Sequence, residues 1–202
     1  MENDPTTSPT IYHLIGTPGV GKYTIGTQLA RLTGAKLVDN HAVANVIFNV
    51  LDQDGIKPLP DGVWTYVREV RRAVLDAVMH ISPPHLSFIF TNYIRGEDER
   101  EYAYFLENVA VADIRGSRFV PVLVTCETAE LMNRIGTESR RQRMKLLDPI
   151  EARRLNDEVP QFATDHPNFF TVDTTHRPPA ESAQLILEKT NSLHRTENKR
   201  RD

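Results

Sequence analysis

The chain has 202 residues, with 24 lysines and arginines against 27 aspartates and glutamates, for a formal net charge of −3. The two signs are interleaved, so there is no basic footprint for DNA or RNA, and nucleic acid is not an expected partner. Cys126 is the one cysteine, which excludes an internal disulfide and a multi-cysteine metal site and suits a reducing, cytoplasmic setting. The length suits one domain, expected over residues 11–193. The polar opening MENDPTTSPT has no apolar stretch of the kind a signal peptide needs, and no run approaches bilayer-spanning length, so no membrane association is expected. Residues 1–10 and the charged stretch 194–202 are expected to be a disordered arm and tail.

A short apolar strand through Tyr12, Leu14 and Ile15 runs into the glycine-rich turn GTPGVGKYT, residues 16–24, and a helix from Tyr23 to about Leu32 follows. This is a phosphate cradle. Gly16, Gly19 and Gly21 allow turns that aim backbone N–H groups at one anion, Lys22 adds a cation, and the helix points its positive end at the same place. Thr17, Pro18 and Val20 complete the loop. The general pattern is GxxxxGK followed by Ser or Thr between a strand and a helix. Tyr23 stands where the hydroxyl residue is expected, and Thr24 is the nearest aliphatic hydroxyl.

Further along, Lys36 to Asp39 reads as a second strand and Ala42 to Leu51 as a brief helix. Asp61 is placed to cap a long helix to His80 whose buried face is expected through Val63, Val67, Val70, Val74 and Val78. Leu86 to Phe90 reads as a buried parallel strand, Glu97 to Ile114 as a helix, and Phe119 to Thr125 as a fourth strand. Helices at Ala129 to Ile135 and near Pro149 to Leu155, a fifth strand at Phe169 to Val172 and a helix from Pro179 to Leu193 complete the alternation. Strands separated by helices predict a parallel sheet covered on both faces, with ligands beyond the carboxyl ends of the strands.

The form GxPGxGKxT at residues 16–24 resembles the loop of nucleoside monophosphate kinases and their small-molecule relatives. Over nearly the whole chain, the order of loop, acidic strand-two end, helical insert, third strand and arginine-rich segment resembles the small P-loop kinases, among them shikimate and gluconate kinases. The resemblance implies an α/β, three-layer P-loop NTPase fold with a five-stranded sheet of order 2-3-1-4-5. It also implies a helical substrate insert at about 40–80 and a lid at about 134–150, with ATP and Mg²⁺ as cofactors and a small-molecule acceptor. Either a monomer or a homodimer is compatible, since the helix from Asp61 to His80 can serve a partner copy as well as a pocket.

In that resemblance, residues Gly16 to Thr24, Arg134 and Thr174 hold the nucleotide, and Thr24 takes the metal-side hydroxyl role. The lid RIGTESRRQRMK supplies Arg140, Arg141 and Arg143, which with Lys22 stabilise charge on the transferred group. Asp39, ending strand two in VDNH, orients the acceptor hydroxyl and takes its proton, and is also a candidate on the metal side; a plain helix cap is its other reading. His41, Arg68, Arg72 and Asn92 are the acceptor-side candidates. Arg68 and Arg72 lie one turn apart, a spacing that suits an anion and equally suits a surface ion-pair helix. Strand three ends FIFTNYI, so Thr91 and Asn92 stand where such proteins carry a metal-holding aspartate, and neither brings negative charge.

The expected activity is transfer of the γ-phosphate of ATP to a small hydroxylated or anionic metabolite. Strand three lacks the DGFPR-like sequence of nucleoside monophosphate kinases, which sets that alternative lower. An antibiotic kinase, or a nucleotide-binding sensor without turnover, are the others.

Overall fold

The computed structural model describes residues 8–51, 59–136 and 146–198. At the centre of the sheet, β1 (Thr10–Ile15) is buried at every position, because β3 (Phe88–Asn92) and β4 (Arg118–Thr125) pair with it in parallel on either side. Outside them lie β2 (Lys36–Asp39) and β5 (Phe170–Asp173), also parallel, giving the order β2-β3-β1-β4-β5. The expected sheet order is the observed one.

Seven described helices join and cover these strands: α1 (Lys22–Thr33), α2 (Asn40–Phe48), α3 (Val63–His80), α4 (Glu99–Arg115), α5 (Thr128–Ile135), α6 (Pro149–Asp157) and α7 (Pro179–Asn198). Strand side chains alternate between faces, and two apolar cores result. One packs Tyr12, Leu14, Ile89, Val120 and Val122 against Ile25 and Leu29 of α1 and Ala183 and Ile186 of α7. The other packs Ile11, Ile15, Phe90 and Leu123 against Leu75 and Val78 of α3 and Phe105, Val111 and Ala112 of α4. A smaller cluster of Ala44, Phe48, Val63 and Val67 joins α2 to α3. Among the described residues, no helix is long and apolar enough to cross a membrane.

Four details differ from expectation. Strand β3 begins later and runs on through Thr91 and Asn92, because ladder pairing with β1 and β2 holds two polar residues that carry no strand signal of their own. Helix α3 is capped by Gly62 at φ 79°, with no side-chain cap bond, so Asp61 does not cap it. Its buried residues are Val63, Val67, Arg71, Leu75 and Val78, while Val70 and Val74 are half-buried. The inward stripe is therefore rotated and carries an arginine, which the valines had concealed. At the chain ends, β1 starts at Thr10 and α7 continues to Asn198, since Thr10 joins the ladder opposite Arg118 and the helix gains a turn beyond Leu193.

Candidate active site

The turn after β1 continues the sheet for one bond, with Gly16 N–H donating to the Asn92 carbonyl (3.2 Å), and then wraps back to open α1. Only glycine fits at position 16, where φ is 154° and a Cβ would stand 2.2 Å from the Val124 carbonyl oxygen. Gly21 caps α1 in the left-handed region without a side-chain cap, leaving the first helical N–H groups directed at the turn. Lys22 folds over the same turn, its Nζ donating to the carbonyls of Gly16 (2.5 Å) and Thr17 (3.0 Å). Thr24 is exposed, and its hydroxyl donates to Gly21 O at 2.8 Å. Tyr23 and Pro18 are half-buried beside them, and Val20 is buried.

Beside this turn lies a cleft of about 440 Å³, lined by Val20, Gly21, Thr24 and Ile25, by Glu130 and Arg134 of α5, and by the Thr174–Pro179 turn. Arg134 is held flat across it, donating to Glu130 Oε1 (2.8 Å), Thr174 Oγ1 (3.1 Å), Thr174 O (2.8 Å) and Thr175 O (3.3 Å). Thr174 Oγ1 lies 3.0 Å from Val20 O and 2.9 Å from Thr125 O, so it ties the phosphate turn to the ends of β4 and β5. Asp173 is used up within the turn, accepting from Thr175 N (2.9 Å) and Thr175 Oγ1 (2.6 Å), and these bonds hold its carboxyl below the usual range. Arg134 and Thr174 thus stand beside the turn. His176 and Glu130 also line the cleft, and nothing in the sequence pattern had marked them.

Across the sheet rim, ladder register sets Asp39 opposite Thr91 and Asn92 opposite Ile15, which aligns the ends of β2, β3 and β1 in one row. Asp39 occupies the cap position of α2 without making a side-chain cap bond. Its Oδ1 accepts from the Thr91 hydroxyl (2.7 Å), and Thr91 Oγ1 accepts from Asn40 N (3.1 Å). The threonine therefore takes the helix end and leaves the aspartate held, buried, at the rim.

The remaining acceptor candidates divide. His41 sits half-buried at the second position of α2. Asn92 is buried, with its carboxamide engaged by His13 (2.9 Å) and Asn40 (3.3 Å), so it faces the core rather than an open pocket. Arg68 and Arg72 are exposed on α3, Arg68 donating to Thr65 Oγ1 at 3.3 Å. The buried arginine of that helix is Arg71. Arg140, Arg141 and Arg143 lie outside the described residues.

Structural comparison places this fold among solved kinases. The chain superposes on a gluconokinase from Sinorhizobium meliloti with a TM-score of 0.56, at 14% identity and covering 94% of each chain. With an APS kinase from Mycobacterium tuberculosis, in complex with AMPPNP and APS, the TM-score is 0.57, at 13% identity, covering 92% of this chain and 99% of the other. A thymidylate kinase from Candida albicans gives 0.55 at 12% identity, covering 93% and 94%. The fold is that of the small P-loop kinases. Within it, solved kinases with different acceptors overlay this chain about equally well, so the P-loop kinase fold alone does not choose an acceptor. No protein-family model and no curated protein matches the sequence.

Proposed function

We propose that the protein is an ATP-dependent phosphotransferase acting on a small metabolite, with the triphosphate on the Gly16–Thr24 turn and the acceptor hydroxyl at Asp39. One observation carries this reading. The Lys22 ammonium is already folded over the loop carbonyls, with a cleft floored by Arg134 on one side and a held carboxylate on the aligned rim. A triphosphate entering the turn takes over the ammonium from carbonyl oxygens that are weaker partners than phosphate.

In the reaction, Asp39 accepts the proton of the acceptor hydroxyl as its oxygen bonds to the γ-phosphorus, and the bond to the β,γ-bridging oxygen breaks to release ADP. Thr91 fixes the carboxylate's orientation, and Lys22 meets charge that grows on the transferred oxygens. The oxygens present suit Mg²⁺ held mainly by nucleotide. Among the described residues no group of three or more His, Cys, Asp or Glu could hold a metal ion, and this ion ordinarily takes one or two protein oxygens plus phosphates and waters. Thr24 and Asp39 are the residues that would face it, and when bound it neutralises phosphate charge.

A neutral strand-three end, with Asn92 turned into the core, favours one rival: a nucleotide-binding sensor that does not transfer phosphate. An ATP-consumption assay over a panel of sugars, sugar acids, nucleosides, nucleotides and aminoglycosides separates the two. Turnover with one class, lowered about 10²-fold in Asp39→Asn while calorimetry still registers AMPPNP binding, is the result expected of the kinase. Binding without turnover across the panel overturns it in favour of the sensor.

A further inference from the structure

A row of polar side chains crosses the apolar layer between the sheet and helices α3 and α4. Arg71 Nε donates to Glu107 Oε2 (2.9 Å), and Arg71 Nη2 donates to Asn108 Oδ1 (3.3 Å). Asn108 Nδ2 lies 3.1 Å from His13 Nε2, and the same nitrogen lies 2.9 Å from Asn92 Oδ1. Asn92 Nδ2 then reaches Asn40 Oδ1 at 3.3 Å. Arg71, Asn108, His13 and Asn92 are all buried, and the row runs from the exposed carboxylate of Glu107 to the residue after Asp39.

Placed this way, the contacts conflict at one atom. His13 Nε2 cannot accept a proton from Asn108 and donate one to Asn92 at the same time. A guanidinium has donors only, so turning Asn108 over would set an NH₂ group against Arg71 at 3.3 Å and lose a charge-assisted bond inside the core. His13 Nδ1 has no hydrogen-bond partner, so whichever tautomer forms leaves that nitrogen unsatisfied, and its cost does not favour turning Asn108. Burial and the Arg71 charge hold His13 neutral, with its pKa down at about 3, so tautomer rather than charge is what varies. The arginine therefore decides: Asn108 gives its NH₂ to His13, and the imidazole proton sits on Nδ1. An Asn92 Oδ1 left at 2.9 Å would face the Nε2 lone pair, so Asn92 turns its Nδ2 to share it with Asn108 in a three-centre contact and its Oδ1 to Asn40, and Asn40 answers with Nδ2, leaving its own Oδ1 outermost.

We propose that Arg71 is a positioning residue that, through Asn108 and His13, makes the Asn92–Asn40 pair present carbonyl oxygen rather than amide hydrogen beside Asp39. Its relevance to acceptor binding rests on the kinase reading of Asp39: with the reacting hydroxyl on Asp39, the Asn40 oxygen is an acceptor for a second donor group of the same molecule.

Long-range ¹⁵N–¹H NMR on the full-length protein tests this without nucleotide or acceptor, so a failed kinase assay and a failed relay are told apart. His13→Gln assigns the His13 signals by their loss. The expected spectrum shows a protonated Nδ1 and a lone-pair Nε2 in the wild type. Arg71→Lys, which keeps a donor-only cation, preserves that pattern, and Arg71→Gln, which can offer Asn108 an oxygen, shifts it towards Nε2–H. An Nε2–H tautomer in the wild type, or an Arg71→Gln spectrum with the wild-type tautomer, overturns the proposal. Should Arg71→Gln fail to fold, the wild type still decides through scalar coupling across the hydrogen bond: coupling from Asn92 Nδ2 to His13 Nε2 supports the relay, and its absence overturns it.

Discussion

The proposed nucleotide end and the proposed acceptor end of the rim are built by different means. At the proposed nucleotide end, nine consecutive residues supply a turn that offers main-chain N–H groups and one lysine, and two hydroxyl–carbonyl contacts from Thr174 lock it to the sheet. At the proposed acceptor end, Asp39, Asn40, Thr91, Asn92, His13, Asn108 and Arg71 come from six separate elements and are joined mainly through side chains, the Asn40 main-chain N–H being the exception. An anion can be gripped by almost any backbone in the right turn, whereas orienting one hydroxyl needs particular atoms from distant places.

The largest expected effect comes from removing the Lys22 ammonium, the side-chain charge carried by the turn itself. Lys22→Ala should lower turnover by roughly 10²–10³-fold, in the range seen when one preorganised stabilising group is lost, with unchanged circular dichroism. Steady-state kinetics on the active acceptor class checks it, and near-wild-type turnover would remove the loop from the chemistry. Asp39→Asn attacks the other end. It should cost about 10²-fold in kcat, the lower range for a general base, while AMPPNP affinity by calorimetry stays within about twofold of wild type. If the variant lost nucleotide affinity instead, the two ends would not be separable and the comparison would break.

How far the sequence was legible follows the same division. The turn, strand order and most helix positions could be read because glycine spacing and apolar periodicity are local signals. Strand three could not be read to its end, because Thr91 and Asn92 are strand residues only by virtue of the ladder on both sides. The burial of Arg71 was invisible for a related reason: its partners Glu107 and Asn108 lie on α4, 36 and 37 residues away, and the valines at 70 and 74 gave an equally good helical stripe. Likewise, the helix-cap alternative for Asp39 stays open in the sequence until Thr91, 52 residues on, is found taking that role.

His13 sharpens the contrast through stability. The unfolded chain protonates this imidazole below about pH 6.5, while the folded protein keeps it neutral down to about 3. The unfolded state therefore binds more protons in that window, so the contribution is whole above 6.5 and shrinks as pH falls, by up to about 1.4 kcal/mol per pH unit. Urea unfolding between pH 7 and pH 5 should show this slope in the wild type and a flatter one in His13→Gln. Equal slopes would mean that the imidazole is not buried in neutral form.

The smallest expected effect divides the nucleotide end itself. Arg134 spans the cleft with its guanidinium fixed by the Thr174 and Thr175 carbonyls and by Glu130, a posture that on the proposed reading would present its face to a planar base rather than its N–H groups to phosphates on the turn. Arg134→Ala should therefore weaken ATP by roughly fivefold, the scale of one exposed cation–π contact, and leave inorganic tripolyphosphate unaffected. The turn should survive the change, since Thr174 keeps its contacts to Val20 O and Thr125 O. Calorimetry with both ligands reads the difference directly. Equal losses for ATP and tripolyphosphate would show that Arg134 acts by shaping the phosphate turn, and the base would then have to be sought elsewhere than in this cleft.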